Sequence, residues 1–206
     1  MKTFNPLNRL RILLVFLSLI LLAVIAVNIQ TQGQIYLLDN QISQLIPYIQ
    51  SPFLTTFFHQ ITNIFQPTIL IILGLFLAYL VYKRHGIKKS KVIILSFILA
   101  LILKFGLNFL LSRARPDNSL IYSSGFSFPS GHATFACLFF IILIFSLKHH
   151  ISKISKISLS IAAVLMTLLI GFTRIYLNVH YFSDVLAGFL LAIFIFFLSC
   201  LIIEKK

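Results

Sequence analysis

The chain has 206 residues, of which 59% are hydrophobic and only 10% are charged, and its mean hydropathy is +1.02. This composition excludes a soluble globular domain and is typical of a protein that crosses a membrane several times. A net charge of +13 would suggest a nucleic-acid partner in a soluble protein, but the basic residues cluster in short loops between apolar runs, so we expect no nucleic acid.

The apolar runs predict an all-α fold. A membrane-spanning helix needs about 20 predominantly apolar residues, and six runs approach that length, at 12–29, 67–82, 92–111, 132–147, 157–172 and 184–203. Only helices satisfy their own backbone polar groups in lipid, so we predict one domain over residues 1–206, a bundle of six transmembrane helices. The first run follows basic residues, as a signal peptide does, but no clear cleavage site follows it, which favours a retained span.

The segment 36–66, between the first two spans, carries Asp39 and neither lysine nor arginine. Its apolar residues follow a helical pattern that Pro47 and Pro52 interrupt, which predicts short amphipathic helices in the membrane interface. These helices either form a lateral lid over a site or simply pack against the bundle. His59 is interpreted as an interfacial histidine and not as a ligand.

The distribution of lysine and arginine predicts the orientation, because cytoplasmic loops carry an excess of both. With the N-terminus inside, the cytoplasmic segments contain Lys2, Arg9, Arg11, Lys83, Arg84, Lys88, Lys89, Lys91, Lys148, Lys153, Lys156, Lys205 and Lys206. Both termini are therefore expected in the cytoplasm. The basic residues that remain lie on or near the outer side and break the bias, which indicates a role other than topology: Lys104, Arg113, Arg115 and Arg174.

A Pro-Ser-Gly-His turn precedes the fourth span. Pro129 fixes the backbone, and Ser130 is a favourable N-cap for the helix that follows. Free N–H groups at a helix N-terminus form an anion site. Gly131 would allow a ligand to approach this site closely, and His132 would face the same ligand. The alternative is a helix-entry turn without a ligand.

His180 and Asp184 are four residues apart at the start of the sixth span and so share one helical face. A carboxylate beside an imidazole fixes its tautomer and leaves the other nitrogen free as a nucleophile or base. A simple ion pair at a helix entry is the alternative. Arg115 and Arg174 suit phosphate because a guanidinium is always charged and binds bidentately, whereas Arg113 is interpreted as a surface residue that contacts lipid headgroups.

The chain resembles the type 2 phosphatidic acid phosphatase superfamily in three motifs, which are Arg115-Pro116, Pro129-Ser130-Gly131-His132, and Thr173-Arg174 followed by His180 and Asp184. The resemblance implies that His180 forms a phosphohistidine intermediate, that Asp184 orients it, and that His132 is the general acid. It also implies that the phosphoryl oxygens are bound by Arg115, Arg174, Ser130 and Gly131. No metal or other cofactor is expected; a two-histidine, one-carboxylate metal site is the alternative.

Two positions depart from the family pattern. Asn108 stands where the family usually has a lysine, and Lys104 lies one helical turn earlier on the same face, so either residue is a candidate for phosphate binding. Thr173 replaces the usual serine and retains the hydroxyl, so little effect is expected.

Because the third and fifth spans end, and the fourth and sixth begin, at the outer edge, topology is expected to bring the residues of the three motifs together there. The resemblance implies a hydrolase, which we expect in a bacterial cytoplasmic membrane. Its substrate would be undecaprenyl diphosphate, phosphatidylglycerol phosphate or phosphatidate, held in the bilayer by its hydrocarbon chain. The alternatives are a phosphotransferase that uses the same intermediate and a non-catalytic protein that binds or transports lipid phosphates.

Overall fold

The computed structural model describes residues 5–147 and 152–204. The α-helices are α1 (Pro6–Gln30), α2 (Gln34–Leu45), α3 (Pro52–Ile64), α4 (Pro67–His85), α5 (Ile87–Leu111), α6 (Gly131–Leu147), α7 (Lys153–Tyr176) and α8 (Phe182–Ile203), and a 3-10 helix covers Ile46–Ile49. The described residues contain no strand, so the all-α prediction is confirmed. Outside the described ranges lie four of the basic residues used to predict the orientation: Lys2, Lys148, Lys205 and Lys206.

Within the described residues, five helical stretches are long and apolar enough to cross a membrane, one of which, Pro52–His85, contains α3 and α4. Helix α6 is also apolar but shorter, at 17 residues. The six predicted runs therefore correspond to α1 and to α4–α8. The predicted helices were too short, most clearly α7. That helix begins among polar residues, where the hydroxyl of Ser152 accepts the N–H of Ser155 at 3.1 Å.

Helices α6 and α8 form the centre of the bundle, where α6 packs against α4, α7 and α8, and α8 also packs against α1 and α5. Their facing side chains are fully buried, among them Leu138, Ile142 and Ile195. The outer helices instead expose large apolar side chains such as Phe16 and Ile72. An apolar exterior around an apolar core is typical of a protein in a bilayer, because apolar side chains that face lipid are not exposed to water.

Gly188 lets α8 approach the start of α6. A Cβ atom at this position would lie 2.8 Å from the carbonyl oxygen of Ser130 and 2.9 Å from the Cβ of Ala133. We expect Gly188→Ala to lower the free energy of unfolding by about 1–3 kcal/mol, because the added methyl overpacks the contact. Thermal unfolding in detergent measures the change.

Gly106→Ala is the matched control for that substitution. Gly106 lies within α5, and a Cβ there would meet no atom within 4 Å. The control should be neutral or stabilising, since alanine favours a helix over glycine by up to about 1 kcal/mol. Equal unfolding temperatures for the two variants would contradict the close approach of α6 and α8.

The segment between the first two spans forms short helices, as predicted, and both α2 and α3 pack onto the bundle. Helix α2 lies against α1 and the start of α8, and α3 lies against α7. The ring of Phe58 in α3 packs against Phe172 and Tyr176 of α7, with centroids 5.6 and 4.6 Å apart. The two short helices thereby flank the end of the bundle where the three motifs meet.

Candidate active site

The three motifs meet at one end of the bundle, in the α5–α6 loop, the first turn of α6 and the α7–α8 connection. Backbone hydrogen bonds hold them together: the N–H of Ser127 donates to Arg113 at 2.8 Å, and the N–H of Ser130 donates to Asp184 at 3.0 Å. The arrangement follows from topology, because α5 and α7 both end where α6 and α8 begin. At this end of the bundle lie all the site residues predicted from the sequence: Lys104, Asn108, Arg115, Ser130, Gly131, His132, Arg174, His180 and Asp184.

His180 is 4% exposed and lies between a carboxylate and a guanidinium. Its Nδ1 is 3.5 Å from Oδ2 of Asp184, and its Nε2 is 3.2 Å from Nη1 of Arg115. The 3.5 Å separation is longer than an ordinary hydrogen bond, a looseness that is common before substrate binds. With the proton on Nδ1 directed at Asp184, the lone pair lies on Nε2, where it accepts an N–H of Arg115. It would attack phosphorus once a substrate oxygen takes over that N–H.

Burial lowers the pKa of His180 from 6.5 to about 4, even though Asp184 favours the charged ring. The nearby guanidinium groups of Arg174 and Arg115 lower it further. The imidazole is therefore neutral at pH 7, and only a neutral imidazole can act as a nucleophile.

The guanidinium of Arg115 is fixed by the backbone of the loop around it. Its Nε donates to Gly125 at 3.0 Å, and its Nη2 donates to Ser124 and Phe126 at 3.0 and 3.2 Å. Its Nη1 donates to Val179 at 2.8 Å in addition to approaching the nucleophile. These acceptors are neutral carbonyls, so the positive charge remains unpaired beside Nε2, where a phosphoryl group would arrive.

His132 and Arg174 line a cavity of about 590 Å³ at the same end of the bundle. Nη1 of Arg174 donates to the hydroxyl of Thr62 in α3 at 2.6 Å, while its buried Nε has no partner. His132 lies within electrostatic range of Arg174 and His180. The remaining wall of the cavity is formed by His59, Asn63, Gln66, Pro67, Thr68, Ile121, Tyr122 and Ser123.

Ser130 occupies the predicted N-cap position, but its hydroxyl does not cap the helix. The side chain is fully buried and its Oγ has no hydrogen-bond partner. A buried unpaired hydroxyl is costly, so it is better suited to a ligand oxygen. The prediction that this side chain caps α6 was therefore wrong, whereas its role as a ligand group stays a prediction.

Lys104 and Asn108 differ in the donors they have available. The Cε atom of Lys104 lies 3.5 Å from where a Cβ of Gly131 would be, and its charge acts on Arg115. The amide of Asn108 donates to the carbonyls of Phe126 and Phe128, both at 3.0 Å. Asn108 therefore secures the loop before the Pro-Ser-Gly-His turn, which does not fit its predicted role in phosphate binding.

The interpretation of Arg113 as a surface residue for headgroups was wrong. Arg113 is 7% exposed and forms ion pairs with Asp184 and with Asp39 of α2, both at 2.7 Å. Sequence reasoning also missed Asp39 as a site residue. Its position as the one acidic residue of an otherwise uncharged segment was the available signal.

Among the residues that the structure describes, no group of three or more histidine, cysteine, aspartate or glutamate side chains could hold a metal ion. A metal-independent reaction stays a prediction.

A family model described as the PAP2 superfamily matches residues 89–206, which include all three motifs. The chain belongs to the PAP2 superfamily. Phosphatidylglycerophosphatase B of Bacillus subtilis strain 168 is 45% identical to this PAP2 chain over 92 residues, which are 43% of this chain and 45% of that protein. An undecaprenyl-diphosphatase of Sulfolobus acidocaldarius is 28% identical over 127 residues, covering 58% and 57%. The chain thus matches about half the length of these relatives.

Two crystal structures of PAP2-type proteins are similar to this fold. The transmembrane PAP2-type phosphatidylglycerolphosphate phosphatase of Bacillus subtilis superposes with a TM-score of 0.82 at 28% identity, covering 93% of this chain and 96% of that one. LpxE of Aquifex aeolicus gives a TM-score of 0.62 at 26% identity, covering 79% and 94%. The similarity extends beyond the motifs to nearly the whole bundle.

Proposed function

We propose that this PAP2 protein is a metal-independent lipid phosphatase that works through a phosphohistidine at His180. The observation that carries the proposal is the placement of that ring, with Nδ1 facing Asp184 at 3.5 Å and Nε2 facing Arg115 at 3.2 Å. Such a neutral imidazole, oriented by a carboxylate and facing a cation, suits attack on phosphorus.

The reaction would proceed in two steps. The lone pair of Nε2 of His180 forms a bond to phosphorus, and the bond from phosphorus to the leaving oxygen breaks as His132 donates a proton to that oxygen. His132 then removes a proton from water, the water oxygen attacks phosphorus, and the bond to Nε2 breaks. Charge on the transferring group would be stabilised by Lys104, Arg115, the N–H of Gly131, Ser130 and Arg174.

The relatives are named as phosphatases of phosphatidylglycerol phosphate and of undecaprenyl diphosphate. Phosphatidylglycerol phosphate is the substrate we favour, ahead of undecaprenyl diphosphate and phosphatidate. The cavity that His132 lines also presents the neutral amides of Asn63 and Gln66, which can exchange hydrogen bonds with the hydroxyl groups of a glycerol. A diphosphate would bring a second anion, which these uncharged amides do not neutralise.

The hydrocarbon chains of the substrate would remain in the bilayer beside the apolar helices. The excess of lysine and arginine in the predicted cytoplasmic loops supports an active site on the outer face of a bacterial cytoplasmic membrane, with both termini in the cytoplasm. No nucleic acid has a part in this function.

Purified protein in detergent with EDTA tests the proposal when it is supplied with phosphatidylglycerol phosphate, undecaprenyl diphosphate and phosphatidate. We expect phosphate release from the first substrate to be fastest. Transfer of phosphate to an added alcohol in place of water would instead identify a phosphotransferase. Saturable lipid binding without any phosphate release would overturn the enzymatic assignment in favour of a binding protein.

We expect Lys104→Ala to raise the apparent KM for the lipid phosphate about tenfold, because one ammonium group near the phosphate contributes roughly 1.4 kcal/mol of binding. Initial rates over a range of substrate concentrations in detergent micelles measure the change. Ile102→Ala, which removes a side chain that is 60% exposed on the same helix, is the control. A KM shift of equal size in the two variants would remove Lys104 from the phosphate site.

A further inference from the structure

A carboxylate outside the three motifs is buried next to the reacting groups. Asp39 lies in α2, is 0% exposed, and is one of only 4 acidic residues in the chain. Its Oδ1 accepts the N–H of Ser183 at 2.9 Å, and its Oδ2 accepts both the Ser183 hydroxyl and Nη2 of Arg113. Burying a charge in this way is unfavourable unless the charge is paired, and the proposed reaction does not otherwise use it.

Arg113 connects this carboxylate to the candidate nucleophile. Its Nη2 is 2.7 Å from Asp39, and its Nη1 is 2.7 Å from Oδ1 of Asp184. The ring of Tyr181 covers the guanidinium carbon at 4.0 Å and fixes its plane. The other oxygen of Asp184 faces His180, so four ionisable groups form one continuous chain.

The two carboxylates share a single guanidinium. If Arg113 faced Asp184 alone, it would neutralise that carboxylate and weaken its effect on the imidazole. Because one of the two terminal nitrogens of Arg113 binds Asp39, the buried group of Asp39, Arg113 and Asp184 retains a net negative charge next to His180. The other charged or titratable groups that face His180 are Arg115, Arg174 and His132.

We propose that Asp39 and Arg113 are positioning residues that hold Asp184 oriented toward His180 and leave its charge only partly compensated during phosphoryl transfer. The imidazole gains positive charge as Nε2 bonds to phosphorus, and a carboxylate that is not fully neutralised stabilises that charge. This proposal rests on the proposed function. It also links α2, which is distant in sequence from the motifs, to the rate of the chemical step.

Asp39→Asn is the central test because it removes the charge and retains the shape. We expect kcat to fall about 10- to 100-fold, by analogy with the loss of the partners that orient metal-ligating histidines, with little change in KM. The acidic limb of kcat/KM should move to lower pH, because removal of an anion disfavours the imidazolium and lowers the pKa of His180.

Ser43→Ala is the matched control on the same helix. The hydroxyl of Ser43 donates to Oδ1 of Asn178 at 2.9 Å, so this variant loosens α2 without changing any charge. We expect its pH profile to match that of the wild type. If Asp39→Asn and Ser43→Ala give the same kcat and the same acidic limb, Asp39 only fastens α2 and the proposal is overturned.

Arg113→Lys provides an independent test should Asp39→Asn not fold. An ammonium group keeps the charge but cannot span two carboxylates as a planar fork does, so we expect a similar loss of kcat. Wild-type kcat in this variant would overturn the proposal.

Titration of the histidine rings by NMR in detergent gives a readout without turnover. The titration midpoint of His180 should fall in the Asp39→Asn variant and should change measurably in the Arg113→Lys variant. Unchanged midpoints in both variants would also overturn the proposal. If the wild-type protein hydrolyses no lipid phosphate while the His180 midpoint shifts as expected, the proposed function fails and the coupling of Asp39 to His180 stands.

Discussion

Replacement of His180 by alanine should reduce turnover of the lipid phosphate about 10⁴-fold or more, because the proposed reaction forms its covalent intermediate on this side chain. Phosphate release from lipid substrate in detergent measures the loss. The wild-type protein should also become labelled by a substrate carrying a radioactive phosphoryl group, with the acid-labile, base-stable linkage of a phosphohistidine. The alanine variant should acquire no label.

The unfolding temperature of the His180→Ala variant serves as its control. The side chain is buried beside Asp184, so an unchanged unfolding temperature separates a loss of chemistry from a loss of structure. Wild-type turnover in this variant would assign the nucleophile to another residue. Label that persists after the substitution would lead to the same conclusion.

Replacement of His132 by asparagine should have an effect that depends on the leaving group. With a lipid phosphate, whose alkoxide leaves poorly, we expect the rate to fall about 10²- to 10⁴-fold, the usual contribution of a general acid. With p-nitrophenyl phosphate, whose phenolate leaves without a proton, the first step should remain fast. Hydrolysis of the phosphohistidine still lacks its base, so a burst of one equivalent of p-nitrophenolate should precede slow turnover.

The burst distinguishes this role from simple phosphate binding. If His132 only held a phosphoryl oxygen, asparagine would slow both substrates to the same degree and no burst would occur. The His180→Ala variant should show no burst with p-nitrophenyl phosphate, and it is therefore the control for the origin of the burst. Equal losses on the two substrates in the His132→Asn variant would contradict the assignment of His132 as general acid.

The helices were predictable from the sequence because their signal is local. A long apolar run in lipid has to be helical, and all six runs became helices even though ends such as that of α7 were placed too far inside. The helix ends depend on single hydrogen bonds, such as the one from Ser155 to the Ser152 hydroxyl, which a hydropathy pattern does not contain.

The roles of individual polar residues near the motifs were less predictable. Asn108 and Lys104 could not be distinguished by helical position, since they are one turn apart on the same face. The structure distinguishes them because the carbonyls of Phe126 and Phe128, in a loop with no regular pattern, accept both amide hydrogen bonds of Asn108. Ser130 has the opposite outcome, since its hydroxyl is left unpaired where a helix cap was predicted.

The sequence by itself determined that the chain is an all-helical membrane protein and which residue types meet at one end of it, because hydropathy and the alternation of spans place each helix end without reference to tertiary contacts. Only the tertiary structure revealed the pairing of Asp39 with Arg113, which are 74 residues apart. Nothing local in either residue specifies that partner. Both charges are buried in the folded protein, and a buried charge needs a counter-charge, which here comes from a distant part of the chain.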